Sequence, residues 1–421
     1  MIVLRDGRVA TPQGLREMDI YVDGGTISAL TEPGAPSEKA GSEREVFERV
    51  IDCDSSIILP GLIDVHVHLR EPGASYKETV ASGTAAAAAG GFTTVCAMPN
   101  LDPAPADAAS LQQEVDIIRR DACVRVLPYG TITAAQSGRG ALAAMAETAA
   151  RVVAFSDDGR GVQEEATMRR AMQTARELGR MIVAHSEDER WPTTDPRSEY
   201  VQLERDLKLA RETGCAYHVC HISTAASVRL VREAKRDGID VSCETAPHYL
   251  LLCEDDVRDE GRFKMNPPLR TAADREALRE GLADGTIDLI ATDHAPHSRA
   301  EKCGSFADSL FGIVGLETAF PVLYTELVES GELTLPQLIE RLSEAPARRF
   351  GLTGGWLREG GAADLTVLRP DAEYRIDPAG FLSKGRATPF AGRRVHGLIT
   401  MTMCGGRIVY QHIRSEQCCS R

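Results

Sequence analysis

The chain reads as an α/β protein: a (β/α)8 barrel of the TIM type carrying a small β-sandwich built from both termini. Three observations predict this. Eight apolar runs begin near Ile57, Phe92, Cys123, Val152, Met181, Cys215, Ile239 and Ile287, and stretches of helical composition such as 164–178 and 227–237 separate most of them. Parallel strands covered by helices read as such runs. Before this alternation, residues 1 to about 55 are short strands and turns, and after about 355 the same grammar returns. The predicted division is 1–55 with 355–421 for the sandwich and 56–354 for the barrel.

Each element follows from local chemistry. Ile2-Val3-Leu4 is followed by Asp6-Gly7, and Ile20-Tyr21-Val22 by Asp23-Gly24-Gly25. Acidic-Gly pairs between apolar runs are hairpin signals. The polar stretch 33–45 reads as an exposed loop, and Ala85 to Ala89 as helix. Late strands are expected at 363–368, 397–399 and 405–410, with a frayed tail over 415–421.

Composition narrows the function. The 421 residues carry 62 acidic against 48 basic side chains, a net −14. That excludes nucleic acid or an anionic membrane as the main partner. It also means that an acidic substrate must be held by local cations. No apolar run reaches the ~18 residues of a membrane span, and the start, MIVLRDGRVA, lacks a signal-peptide pattern. The 11 cysteines are single apart from Cys418-Cys419 and form no C-x-x-C pair, so a cytoplasmic, reduced chain is expected.

In a barrel the chemistry sits where strands end. Five predicted strands here end in metal-capable residues. Ile63 to His68 carries His66 and His68 two apart, on one side of a strand. Val153-Ala154-Phe155 leads into Asp157-Asp158-Gly159, and the remaining ends are His185, His221 and Asp293. Neutral imidazoles and carboxylates suit zinc, and four histidines with two carboxylates suffice for two ions sharing a bridging carboxylate. His218, three before His221, faces the other way and reads as a packed histidine; His248 and His396 are left out of the metal set. A second group reads as substrate grip: Arg70 two after His68, Asn100 at the end of the Phe92 run, Asn266 in Lys264-Met265-Asn266-Pro267-Pro268-Leu269-Arg270, and His297 four after Asp293. Arginine suits bidentate carboxylate binding.

Together these stretches resemble the dihydroorotases of the amidohydrolase superfamily, the bacterial type I branch most closely. The resemblance runs through Asp64-Val65-His66-Val67-His68-Leu69-Arg70-Glu71-Pro72-Gly73, Ala97 to Asn100, Phe155 to Gly159, His221 to Thr224, Asn266 to Arg270, Ala291 to Ser298, Phe311 to Thr318, and Ser383-Lys384-Gly385 with Thr388-Pro389-Phe390. It implies a hydrolase of de novo pyrimidine (UMP) biosynthesis that cyclises N-carbamoyl-L-aspartate reversibly to L-dihydroorotate and water. It implies His66, His68 and Asp293 at one zinc ion and His185 and His221 at another, one or two per subunit with two expected. Asp158 would bridge them where many superfamily members use a carbamylated lysine, with Asp157 the alternative. Asp293 would be the general base and then acid toward a metal-activated water, with Arg70, Asn100 and His297 on the substrate carboxylate. A homodimer and association with aspartate transcarbamoylase are compatible with the resemblance, and the sequence by itself decides neither. The stretch from His185 to Tyr217 is shorter than the family pattern, and Ala387 stands where asparagine is common. The segment 302–308 is a polar loop that would serve as a lid or as an ordinary mobile loop. The rival readings are another cyclic-amide hydrolase, such as an allantoinase or hydantoinase, and a non-catalytic scaffold for aspartate transcarbamoylase.

Overall fold

The computed structural model describes residues 1–35 and 48–412. Most of the expected loop 33–45, the tail 415–421 and the Cys418-Cys419 pair lie outside the described residues. In chain order the strands are β1 (Ile2–Thr11), β2 (Gly14–Asp23), β3 (Thr26–Thr31), β4 (Arg49–Asp52), β5 (Ile57–Pro60), β6 (Leu62–Val67), β7 (Phe92–Ala97), β8 (Arg125–Pro128), β9 (Ile182–Ala184), β10 (Tyr217–Val219), β11 (Val241–Thr245), β12 (Leu289–Ile290), β13 (Leu365–Arg369), β14 (Tyr374–Arg375), β15 (Arg394–Val395), β16 (Leu398–Cys404) and β17 (Arg407–Gln411).

The two ends of the chain share one sheet, ordered β17-β16-β13-β5-β1-β2-β3, with β4 also beside β1. The join is β13 running antiparallel to β5, Leu365 opposite Pro60. Its core is Leu4, Val9, Ile20, Ile27, Ile58, Leu365, Val367 and Met403. One expectation fails here. Asp6-Gly7 is not a hairpin turn but a bulge inside β1, where Asp6 takes φ +58° and its amide donates to Asp19. The extra residue is absorbed without reversing the chain, and the β1–β2 turn falls at 12–13. Asp23-Gly24-Gly25 does form the β2–β3 turn, with both glycines at positive φ.

The central strands are parallel and alternate with helices. β6, β7 and β8 pair in order, as do β9 to β12. Between these groups Phe155 bridges in parallel to Gly130 on one side and Ile182 on the other, and His294 bridges to Val67. Helices Val80–Ala89, Ala108–Asp121, Glu165–Glu177, Arg197–Thr213, Ala225–Arg236 and Ala272–Asp284 cover the outside through one large apolar cluster. A separate cluster takes Ile63, Val65, Cys96, Met98, Tyr129, Ala154, Val183, Cys220, Leu289 and Ala291 from the inner faces.

The first apolar run divides at Gly61. Ile57–Pro60 joins the terminal sheet, and the parallel strand begins at Leu62. A Cβ at Gly61 would lie 2.2 Å from the Thr93 hydroxyl, so only glycine lets the chain pass between the two sheets here. The Val152 run pairs only at Phe155, and several strands start about two residues later than their apolar runs, as with Arg125 and Tyr217.

Candidate functional site

The metal-capable residues sit at the C-terminal ends of the parallel strands and converge. His66 lies in β6 and His68 just past it. Asp158, His185, His221 and Asp293 follow the Phe155 segment, β9, β10 and β12. Ligand atoms of His66, His68 and Asp293 all fall within 4.8 Å of one another, and so do those of Asp158, His185 and His221. Asp158 ties the groups together. One of its oxygens is 3.3 Å from His66 Nε2, 3.6 Å from His185 Nδ1 and 3.5 Å from His221 Nε2, and the other is 3.4 Å from His68 Nε2. All six residues are buried.

The backbone reaches this arrangement under strain. Arg70, His221 and Asp293 have φ of +59°, +27° and +49°. Non-glycine residues hold such angles only where their surroundings over-determine them.

The donors fit a cation. Buried His66 Nε2, His68 Nδ1 and Asp158 Oδ1 have no hydrogen-bond partner among the described residues. Leaving such atoms unpaired is costly, and a metal ion would satisfy His66 Nε2 and Asp158 Oδ1. The electrostatics agree. Burial opposes charge throughout, yet Asp158 and Glu244 raise His66 well above its usual range. Hydrogen bonding to Asp158 and Glu187 carries His185 up to about 10. Asp158 and Asp293 are held well below the carboxylate range, Asp158 chiefly by His66 and Asp293 chiefly by the hydrogen bond from His68. The centre therefore draws in positive charge.

Asp157 is spent elsewhere. It accepts from the amides of Ile132, Thr133 and Gly138 and from the Thr133 hydroxyl. Its carboxylate thus anchors a loop, while Asp158 keeps an unpaired oxygen. His218 is buried away from the cluster, between Ser242 and Glu244, with its ring against Phe350.

Arg70, Asn100, Asn266 and His297 line the same cavity of about 340 Å3 as His68, Asp158, His185, His221 and Asp293. Arg70 Nε donates to the Pro296 carbonyl at 3.4 Å. Asn100 Nδ2 donates to the Asp158 carbonyl, and its Oδ1 is buried without a partner among the described residues. His297, expected on the substrate carboxylate, has both ring nitrogens engaged by the protein. Its Nε2 is 2.7 Å from the Phe311 carbonyl and its Nδ1 is 3.2 Å from the Lys77 ammonium. Burial, then Arg70 and Lys77, push it down to about 3, so the ring is neutral with both nitrogens engaged.

Sequence reasoning passed over Glu187, Thr193, Arg160 and Glu244. Glu187 accepts from His185 at 3.0 Å, from Asn266 at 3.1 Å and from the Thr193 hydroxyl at 2.6 Å. Its signal was its place two residues after His185. Arg160 lines the cavity as a second cation. The segment 302–308 begins with the last residue of a helix turn, Arg299–Lys302, and buried Lys302 binds the carbonyls of Lys264 and Leu310.

The model of the amidohydrolase family matches residues 57–409. A curated dihydroorotase of Anoxybacillus flavithermus is 49% identical over 97% of this chain and 98% of its own length. One from Brevibacillus brevis is 46% identical over 98% and 100%. Among solved structures, the L-hydantoinase (dihydropyrimidinase) from Arthrobacter aurescens superposes with a TM-score of 0.86 over 97% of this chain and 96% of its own, at 26% identity. A D-hydantoinase, at 21% identity and TM-score 0.84, covers 98% of this chain and 95% of its own, a likeness of fold alone. Among the described residues, no helix is long and apolar enough to cross a membrane.

Proposed function

The chain belongs to the amidohydrolase family and, within it, to the dihydroorotases, and from that premise we propose how its residues share the work. Its reaction is the reversible ring closure of N-carbamoyl-L-aspartate to L-dihydroorotate and water. His66, His68 and Asp293 would hold one zinc ion, His185 and His221 a second, and Asp158 would bridge them. The observation that carries this is the convergence of the two donor groups on Asp158. Bound there, zinc would polarise the scissile carbonyl and lower the pKa of the attacking water to about 7.

The remaining steps belong to the protein. In the hydrolytic direction Asp293 accepts the proton of the attacking water and delivers it to the leaving ring nitrogen. Cyclisation reverses both transfers. Asp293 lines the cavity beside His68, 3.1 Å from its Nε2, which places its carboxylate within reach of that proton. Arg70 grips the substrate carboxylate through its guanidinium, and Asn100 adds its second amide hydrogen. His297 joins by turning its Nε2–H from the Phe311 carbonyl to that carboxylate. Asn266, anchored through its amide nitrogen on Glu187, offers its carbonyl oxygen to a ring N–H. Asp158 and Asp293, which face the cavity, are themselves buried, which strengthens their action on a bound substrate.

The fold reading behind this is a closed eight-stranded barrel. The Phe155 bridges and the Val67–His294 bridge support it by linking the two groups of parallel strands at both ends. We read the terminal sheet as a small sandwich built from both ends of the chain, its first part running past the expected limit of 55 to Pro60 because β5 pairs with β1 and β13, and its second beginning near 355. Its support is a core shared by β3 and β16, whose strands lie near opposite edges of the sheet.

The test is a steady-state assay with dihydroorotate before and after chelation, with elemental analysis of the same samples. Activity that falls with zinc content and returns on readdition supports the reading. Full activity in metal-free protein refutes it.

A further inference from the structure

Beside the catalytic cavity lies a larger one, of about 510 Å3. Three segments line it: the Gly261–Phe263 turn with Glu260, the Ser298–Gly304 segment, and parts of the Pro378–Ala387 loop. His297 lines both cavities and is the wall between them.

The lining is strongly cationic in a chain of net −14. Arg262, Arg299, Lys302 and Arg386 face the space, against one carboxylate, Glu260. Glu260 is already committed, since Arg262 Nε lies 2.6 Å from it. Among the described residues, Arg299, Lys302 and Arg386 make no ion pair. Arg386 donates only to the carbonyls of Ser383 and Gly385.

Lys302 is the informative member. It is 8% exposed, and its ammonium donates to two carbonyls, Lys264 at 3.0 Å and Leu310 at 2.7 Å. An ammonium has three donors, so one remains. Burial and the Lys264 ammonium push Lys302 down to about 7. A buried cation without a counter-charge is costly, and evolution ordinarily pairs it. What this cavity lacks is negative charge. Two unpaired guanidiniums suit the planar, forked recognition of phosphate or carboxylate oxygens.

We propose that this cavity is a second anion site, taking a small ligand that carries two or more negative charges on phosphate or carboxylate oxygens. It is distinct from the Arg70 side of the pocket and touches the catalytic cavity only through His297.

The test is calorimetric titration of the zinc-loaded protein with inorganic phosphate and, separately, with malonate, at ionic strength matched by chloride. Saturable binding of either is expected, and the tighter of the two identifies the ligand's class. Arg299→Ala with Arg386→Ala should weaken that binding about tenfold or more, as loss of charged hydrogen bonds does. Zinc content should be unchanged. Arg299→Glu alone, at an exposed position, serves if the double variant fails to fold. Arg70→Lys should leave the binding within about twofold of the parent. The proposal is overturned if neither anion binds saturably, if the Arg299 and Arg386 variants bind as the parent does, or if Arg70→Lys abolishes the binding, which would put the anion in the catalytic cavity.

Discussion

His66 Nδ1 lies 2.6 Å from Oε1 of Glu244, and both side chains are buried. The other oxygen of Glu244 is 3.1 Å from His218 Nε2, and His218 Nδ1 is 2.7 Å from the Ser242 hydroxyl. One carboxylate on β11 thus fixes an imidazole on β6 and another on β10. The bond at Nδ1 leaves His66 Nε2 facing Asp158.

An outer carboxylate of this kind fixes the ring and raises its basicity as a ligand, an effect worth about 10–100-fold in metal affinity. Glu244→Gln should therefore weaken zinc binding by about that factor, read by competition with a chelator of known affinity. The amide oxygen can still accept one hydrogen bond, so packing is disturbed little. Unchanged affinity would mean that the surrounding packing alone orients His66.

Asp293→Asn keeps the shape of the side chain but removes the proton acceptor. Turnover of dihydroorotate should fall by about a thousandfold, within the usual range for general acid–base catalysis. A loss of less than about tenfold at equal zinc content would assign the proton to another group.

Arg70→Lys retains charge but not the fork. With dihydroorotate, kcat/KM should fall about ten- to a hundredfold, the cost of one charged hydrogen bond. A neutral cyclic imide has no carboxylate for that fork to grip, so its hydrolysis should suffer much less. Equal losses on both substrates would make Arg70 a structural residue.

Glu317 predicts a pH dependence of stability away from the metal centre. It accepts from the amides of Leu382 and Ser383, but burial outweighs these bonds and pushes its carboxyl from 4.5 to about 7. The folded state then holds a proton that the unfolded state has released between about pH 4.5 and pH 7. This contribution is fully present below pH 4.5 and is lost as pH rises through about 7, of the order of 3 kcal/mol at most. Glu317→Gln, which accepts the same amides without titrating, should narrow the difference in Tm between pH 5 and pH 8. An unchanged difference would show that Glu317 is ionised in the folded protein throughout.

The sequence by itself determined the α/β grammar, the family and five of the six converging residues, His66, His68, His185, His221 and Asp293. Each of those five stands at the end of an apolar run, and a strand end in a parallel α/β fold is a defined place. The H-x-H spacing put His66 and His68 together because strand geometry repeats every two residues. It also separated His218 from His221 by the same parity.

Only the tertiary structure decided the rest, because it depends on which segments meet across the fold. Asp157 and Asp158 are neighbours in sequence, and nothing local distinguishes them. A loop from 132–138 wraps Asp157 and leaves Asp158 to the imidazoles. Glu244 looked like an ordinary strand residue until β6 and β10 brought His66 and His218 to it from 178 and 26 residues away. Asp6-Gly7 carried a turn signal that the continuous pairing of β1 with β2 overrode. Arg299, Lys302 and Arg386 come from separate parts of the chain, and only folding brings them to one cavity, where among the described residues none of the three makes an ion pair.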